Sequence, residues 1–89
     1  MKWELIVQKS EFLASLEELF ESDEGSLTGS EVITEIPGWC SLIFVGLIAL
    51  VDEQYQVAIA PESLLNGQTV DGLFAQIKKL VSERDRAAA

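Results

Sequence analysis

Phe12, Leu13, Leu16, Leu19 and Phe20 recur at helical spacing just behind Ser10, a good N-cap, so residues 10–21 are predicted to form an amphipathic helix. Its outer face is acidic, carrying Glu11, Glu17, Glu18 and Glu21. The preceding "MKWELIV" fits an extra turn of that helix or a short strand, and the pattern leaves both open. Residues 22–38 are rich in Ser, Thr, Gly and acids with scattered Leu27, Val32, Ile33 and Ile36, which predicts a long ordered loop. Loops of that length tend to be functional or flexible. The clearest helix is "TVDGLFAQIKKLVSE": Thr69 caps it, Val70, Leu73, Phe74, Ile77, Leu80 and Val81 make one stripe, and Lys78 and Lys79 lie towards its negative end.

Periodicity does not resolve the middle of the chain. "LIFVGLIALV", residues 42–51, has no polar face and suits a buried helix or a buried strand equally. "YQVAIA" alternates Tyr55, Val57 and Ile59 as a strand would. Two strands and two helices would make a small α+β domain. Four helices, with "PESLL" a short third one started by Pro61 and stopped by Asn66-Gly67, would make a bundle.

Charge narrows the partners. Fifteen acids against six bases give a net charge of -9, which speaks against nucleic acid and against an anionic membrane surface, and favours a basic partner. Residues 1–45 hold nine of those acids with two lysines, so the first half is the electronegative face. The 89 residues suffice for one small core, and 48% hydrophobic content favours a packed single domain over a disordered acidic chain. The core should span about 10–81, with 82–89, "SERDRAAA", a frayed tail. The ten-residue run 42–51 is well short of the roughly 20 residues that span a bilayer. A single cysteine, Cys40, and no secretory signal at the N-terminus imply a reducing, cytoplasmic setting.

Much chemistry is missing. Without histidine there is no Ser-His-Asp or Cys-His arrangement and no ordinary zinc site, and no glycine-rich turn offers a phosphate cradle. Glu17-Glu18, Asp23-Glu24 and Asp52-Glu53 are adjacent rather than facing, and read as solvated charge. Asp23, Glu24 and Glu31 lack EF-hand spacing. Cys40 reads as a small apolar filler. The chain is not expected to be an enzyme.

One polar residue stays unexplained: Ser41, between "IPGWC" and the apolar run. Gly38-Trp39-Cys40-Ser41-Leu42 resembles the Gly-x-Asp-Ser-Leu motif of the acyl carrier protein family, including its peptidyl and aminoacyl carriers. The resemblance covers roughly residues 10–81: an acidic first helix, a long loop, the motif opening an apolar helix that ends "ALVDEQYQVAI", then "PESLL" and a last helix opened by Thr69-Val70. It implies an all-α, small four-helix bundle in which Ser41 carries covalent 4'-phosphopantetheine, tethering acyl or aminoacyl groups as thioesters. Val45, Leu47 or Ile48, and Leu50 would then face the core, with Leu42 capping it. The partners implied are a phosphopantetheinyl transferase, a loading synthetase and an acyltransferase or synthase, served by a monomer. Trp39, Leu42, Ile43 and Phe44 become the partner-binding residues. Two positions depart from the family pattern. Cys40 stands where the family has aspartate, and Ile43, Phe44 and Gly46 follow the serine where relatives expose acids. A carrier-like fold without a prosthetic group, acting as an interaction module, is the alternative.

Overall fold

The computed structural model describes residues 8–88. Among them are three α-helices, α1 (Lys9–Phe20), α2 (Ser41–Tyr55) and α3 (Val70–Ala88), with 3-10 turns at Ile33–Glu35 and Pro61–Leu64. There is no strand among the described residues, only an isolated antiparallel bridge between Val32 and Thr69. The described residues are therefore all-helical, and the α+β alternative, which made strands of residues 42–51 and of "YQVAIA", falls. The apolar run lies inside α2. "YQVAIA" ends that helix at Tyr55, passes through the left-handed Gln56 (φ 59°), and continues as unpaired extended chain. Val57 and Ile59 point into the core from it while Ala58 and Ala60 stay exposed, so the alternation is real without a sheet.

The expectation of four helices is corrected to three α-helices plus two 3-10 turns. "PESLL" begins at Pro61 as expected, but it closes only three-residue bonds, from Ser63 N–H to the Ala60 carbonyl and from Leu65 N–H to the Glu62 carbonyl. Four residues are too few to establish an α-turn ladder. The turn serves to drive Leu64 into the core, where it is fully buried.

Each helix contributes a line of residues three or four apart. Phe12 and Leu16 of α1, Leu47, Val51 and Tyr55 of α2, and Leu73, Ile77 and Val81 of α3 are buried together with Ile33 of the long loop. Phe12 lies at the junction of the three helices, edge-on to Tyr55 (centroids 6.2 Å) and stacked on Phe74 (5.4 Å). Burial raises the Tyr55 phenol above its ordinary pKa, and Glu11 adds to the shift.

Three boundaries differ from the sequence reading. Ser10 is not the cap of α1: the N-cap is Gln8, whose carbonyl takes the first helical bond from Phe12 N–H, and Ser10 falls in the exposed first turn. The "MKWELIV" question lies outside the described residues. Residues 82–88, expected to fray, continue α3, and the Arg84 guanidinium donates to the Tyr55 carbonyl at the end of α2. That carbonyl is one a helix C-terminus leaves without an internal partner.

The orientation of α2 also differs. Its inward line runs Leu47, Val51, Tyr55, with Ile43, Phe44, Ile48 and Leu50 partly buried beside it. Val45, expected in the core, is 61% exposed, and Leu42, expected to cap it, is 77% exposed. Two residues advance about 200° around a helix, so a buried Leu47 sends Val45 to the opposite side. At Gly46 an added Cβ would stand 3.1 Å from Leu19 of α1, which marks where the two helices approach closely.

Candidate functional site

The chain reaches Ser41 through a tight reversal. Gly38 takes a left-handed conformation (φ 99°) in which an L side chain is strained, and Trp39 N–H returns to the Ile36 carbonyl at 3.1 Å. The indole of Trp39 then stacks on Phe20 at the end of α1 (6.4 Å, 27°) and meets Phe44 of α2 edge-on (5.9 Å, 69°). These aromatic contacts fix the start of α2 against the end of α1.

Cys40, in extended conformation, is the N-cap of α2, and its side chain makes no capping bond. Its carbonyl accepts the first helical bond from Phe44 N–H (2.9 Å). The amides of Ser41, Leu42 and Ile43 thus open the helix without a side-chain cap, and no acid occupies that turn. Ser41 is the first helical residue and is exposed. The arrangement offers an accessible hydroxyl beside the positive end of a helix.

The five residues singled out in the sequence lie together around this helix start, in unequal exposure. Ser41 and Leu42 face solvent, whereas Trp39, Ile43 and Phe44 are partly buried against the core. Val45, absent from that set, is an exposed apolar neighbour one turn from Ser41. A helix lacking a polar face hides which of its apolar positions look outward, so the pattern held no signal for Val45.

Two carboxylates order the long loop before the site. Glu17, read as solvated charge, is buried in α1 and accepts from Gly25 N–H (3.1 Å) and Leu27 N–H (3.0 Å). A signal for this was present, since Glu17 falls four residues after Leu13 and three before Phe20, on the flank of the apolar stripe. Glu31 accepts from Thr28 N–H and Gly29 N–H, both at 2.8 Å, and from the Thr28 hydroxyl (3.1 Å). Burial pushes the Glu31 carboxyl up, but the Thr28 and Gly29 amides together with the Thr28 hydroxyl outweigh it and hold the group below the ordinary carboxylate range. The loop so shaped bonds to the start of α3, from Asp71 N–H to the Gly29 carbonyl and from Val70 N–H to the Glu31 carbonyl. There Thr69 caps as its sequence predicts, its hydroxyl accepting from Gly72 N–H at 3.0 Å.

An open hollow of about 530 Å³ lies along this loop, lined among others by Glu21, Asp23, Glu31, Glu35, Ile36 and Pro37. It is electronegative and adjoins the turn leading to Ser41. Among the described residues no group of Cys, Asp and Glu side chains is arranged to hold a metal ion, and no helix is long and apolar enough to cross a membrane. Comparison with protein-family models, with curated proteins and with solved structures gives no match.

Proposed function

We propose that the protein is a carrier that tethers acyl or aminoacyl intermediates as thioesters on a 4'-phosphopantetheine arm attached to Ser41. The observation that carries this reading is the exposed Ser41 hydroxyl on the first turn of an apolar helix, beside backbone amides that no side chain caps. The residues fit the group. The hydroxyl is open to attack phosphorus, the amides can face phosphodiester oxygens, and no acid in the first turn repels them. In loading, Ser41 Oγ bonds to the phosphorus of coenzyme A that bears the pantetheine, the pyrophosphate bridge breaks, and adenosine 3',5'-bisphosphate leaves. The hydroxyl proton passes to a base of the transferase.

The all-helical described residues support the reading, with the Pro61–Leu64 turn standing where a carrier has its short third helix. The protein performs no catalysis itself. Tethering raises the effective concentration of its cargo at a partner's active site. Its partners are a phosphopantetheinyl transferase, a loading synthetase and an acyltransferase or synthase, which it serves as a cytoplasmic monomer. The second reading, an interaction module without prosthetic group, is favoured by one observation: Cys40 at the N-cap, exposed and making no cap bond, where a carrier would hold aspartate.

Incubation with coenzyme A and a promiscuous phosphopantetheinyl transferase, followed by intact-mass measurement, tests the proposal. Wild type should gain one arm, and Ser41→Ala should keep its helical circular dichroism and gain none. An unmodified wild type after prolonged treatment supports the interaction module.

A further inference from the structure

We infer that Trp39 is a positioning residue for Ser41: packed between Phe20 and Phe44, it sets the residue at which α2 starts and so keeps the serine hydroxyl out of the capping role its own chemistry favours. The consequence for loading of Ser41 rests on the carrier reading; the place of the helix start does not.

Two starts compete for this helix. In the structure the N-cap is Cys40, which makes no side-chain cap bond, and Ser41 is the first helical residue. Serine is among the best N-cap residues, and cysteine is not among the preferred ones, so local preference favours a start one residue later with Ser41 as the cap. That start gives up the bond from Phe44 N–H to the Cys40 carbonyl (2.9 Å) and puts in its place a bond from the Ile43 or Phe44 amide to Ser41 Oγ. The oxygen that is to attack phosphorus would then be held by the helix, and an amide open to the phosphodiester would be used up.

The apolar side of the turn decides between them. Where a helix begins, the residue before the cap often packs against the fourth helical residue and fixes the entry of the chain. With Cys40 as the cap these two are Trp39 and Phe44, whose rings meet edge-on at 5.9 Å, and Phe20 of α1 stacks on the indole at 6.4 Å. Trp39 N–H is bonded in turn to the carbonyl of the buried Ile36. With Ser41 as the cap the two would be Cys40 and Val45, which are both exposed. Only the observed start ties an aromatic pair to the core, and it leaves the serine hydroxyl free.

Backbone 13C shifts at Cys40 and Ser41 report the start, and steady-state loading by a phosphopantetheinyl transferase with coenzyme A reports its consequence. Trp39→Ala should move the Ser41 shifts from helical to extended values and lower kcat for loading about fivefold, the factor that one side-chain cap of ordinary strength is worth, with KM for the protein little changed. Adding Cys40→Asn, which caps the observed start without a carboxylate, should restore both the shifts and kcat, and should change loading less when Trp39 is present. Trp39→Phe should behave as wild type. If Trp39→Ala loses its helical circular dichroism, Trp39→Leu carries the same comparison. Helical Ser41 shifts without Trp39 overturn the inference, as does a loss of loading that falls on KM or that Cys40→Asn leaves unrepaired. A wild type that gains no arm overturns the carrier reading instead, and the shifts still decide where the helix starts.

Discussion

Cys40 holds the position from which a side-chain oxygen would cap α2, and it leaves that bond unmade. Cys40→Asp should therefore stabilise the protein by about 1 kcal/mol, measured by urea unfolding, because aspartate supplies both the acceptor and a charge suited to the helix start. The same substitution should speed loading of Ser41, compared by mass over time, and equal rates would show that the transferase does not read this position. Gly29 is a second sensitive position. Its φ of 117° strains any L side chain, and the Asp71 carboxylate beside it would have to turn aside, so Gly29→Ala should cost more than about 1 kcal/mol in the same measurement. Ser41 was legible as a residue out of keeping with its surroundings. The exposures of Leu42 and Val45 were not, because only the packing of Leu47 and Val51 sets the rotation of an all-apolar helix.

At the level of elements, α3 was legible almost whole, since its stripe and the Thr69 cap agree with each other. The core face of α1 was equally plain, but its start was not: a serine and a glutamine compete, and a backbone carbonyl rather than a side chain decided it. The loop was legible as ordered but only partly as to its means: the place of Glu17 on the flank of the apolar stripe marks it for burial, but nothing in the sequence says that the amides eight and ten residues on are its partners. Removing that acceptor with Glu17→Ala should cost about 2 kcal/mol, as it strands the buried Leu27 amide and loses the part-buried bond from Gly25. Glu31 gives the loop a dependence on pH. Its folded pKa is depressed, so its contribution is present at neutral pH, above the unfolded value, and is lost as pH falls through the folded one. The stability gap between wild type and Glu31→Gln, taken from urea midpoints, should be widest near pH 7 and close on acidification below the usual carboxylate range.

For the whole molecule, charge and apolar surface are separated around Ser41. Glu18, Glu21, Asp23 and Glu35 lie exposed on α1 and the loop, and Leu42 and Val45 on α2. If partners are steered by the first and held by the second, Glu18→Gln with Glu21→Gln should slow association only at low ionic strength, and Leu42→Ala should weaken transfer at every ionic strength. Stopped-flow association rates across a salt series separate the two. Glu17 and Phe44 are unsuitable probes of docking, since one anchors the loop and the other packs under Trp39. The two parts of the molecule are also joined by different forces: loop residues 22–31 hang largely on carboxylates, with Leu27 their one fully inserted side chain, whereas the helices close over a continuous apolar core. Opening that segment alone exposes little surface. Native-state hydrogen exchange at the Gly25 and Leu27 amides should therefore hardly respond to urea, while exchange at Leu47 and Val51 should rise with the full slope of global unfolding, so that the loop lets go many times for each time the bundle does.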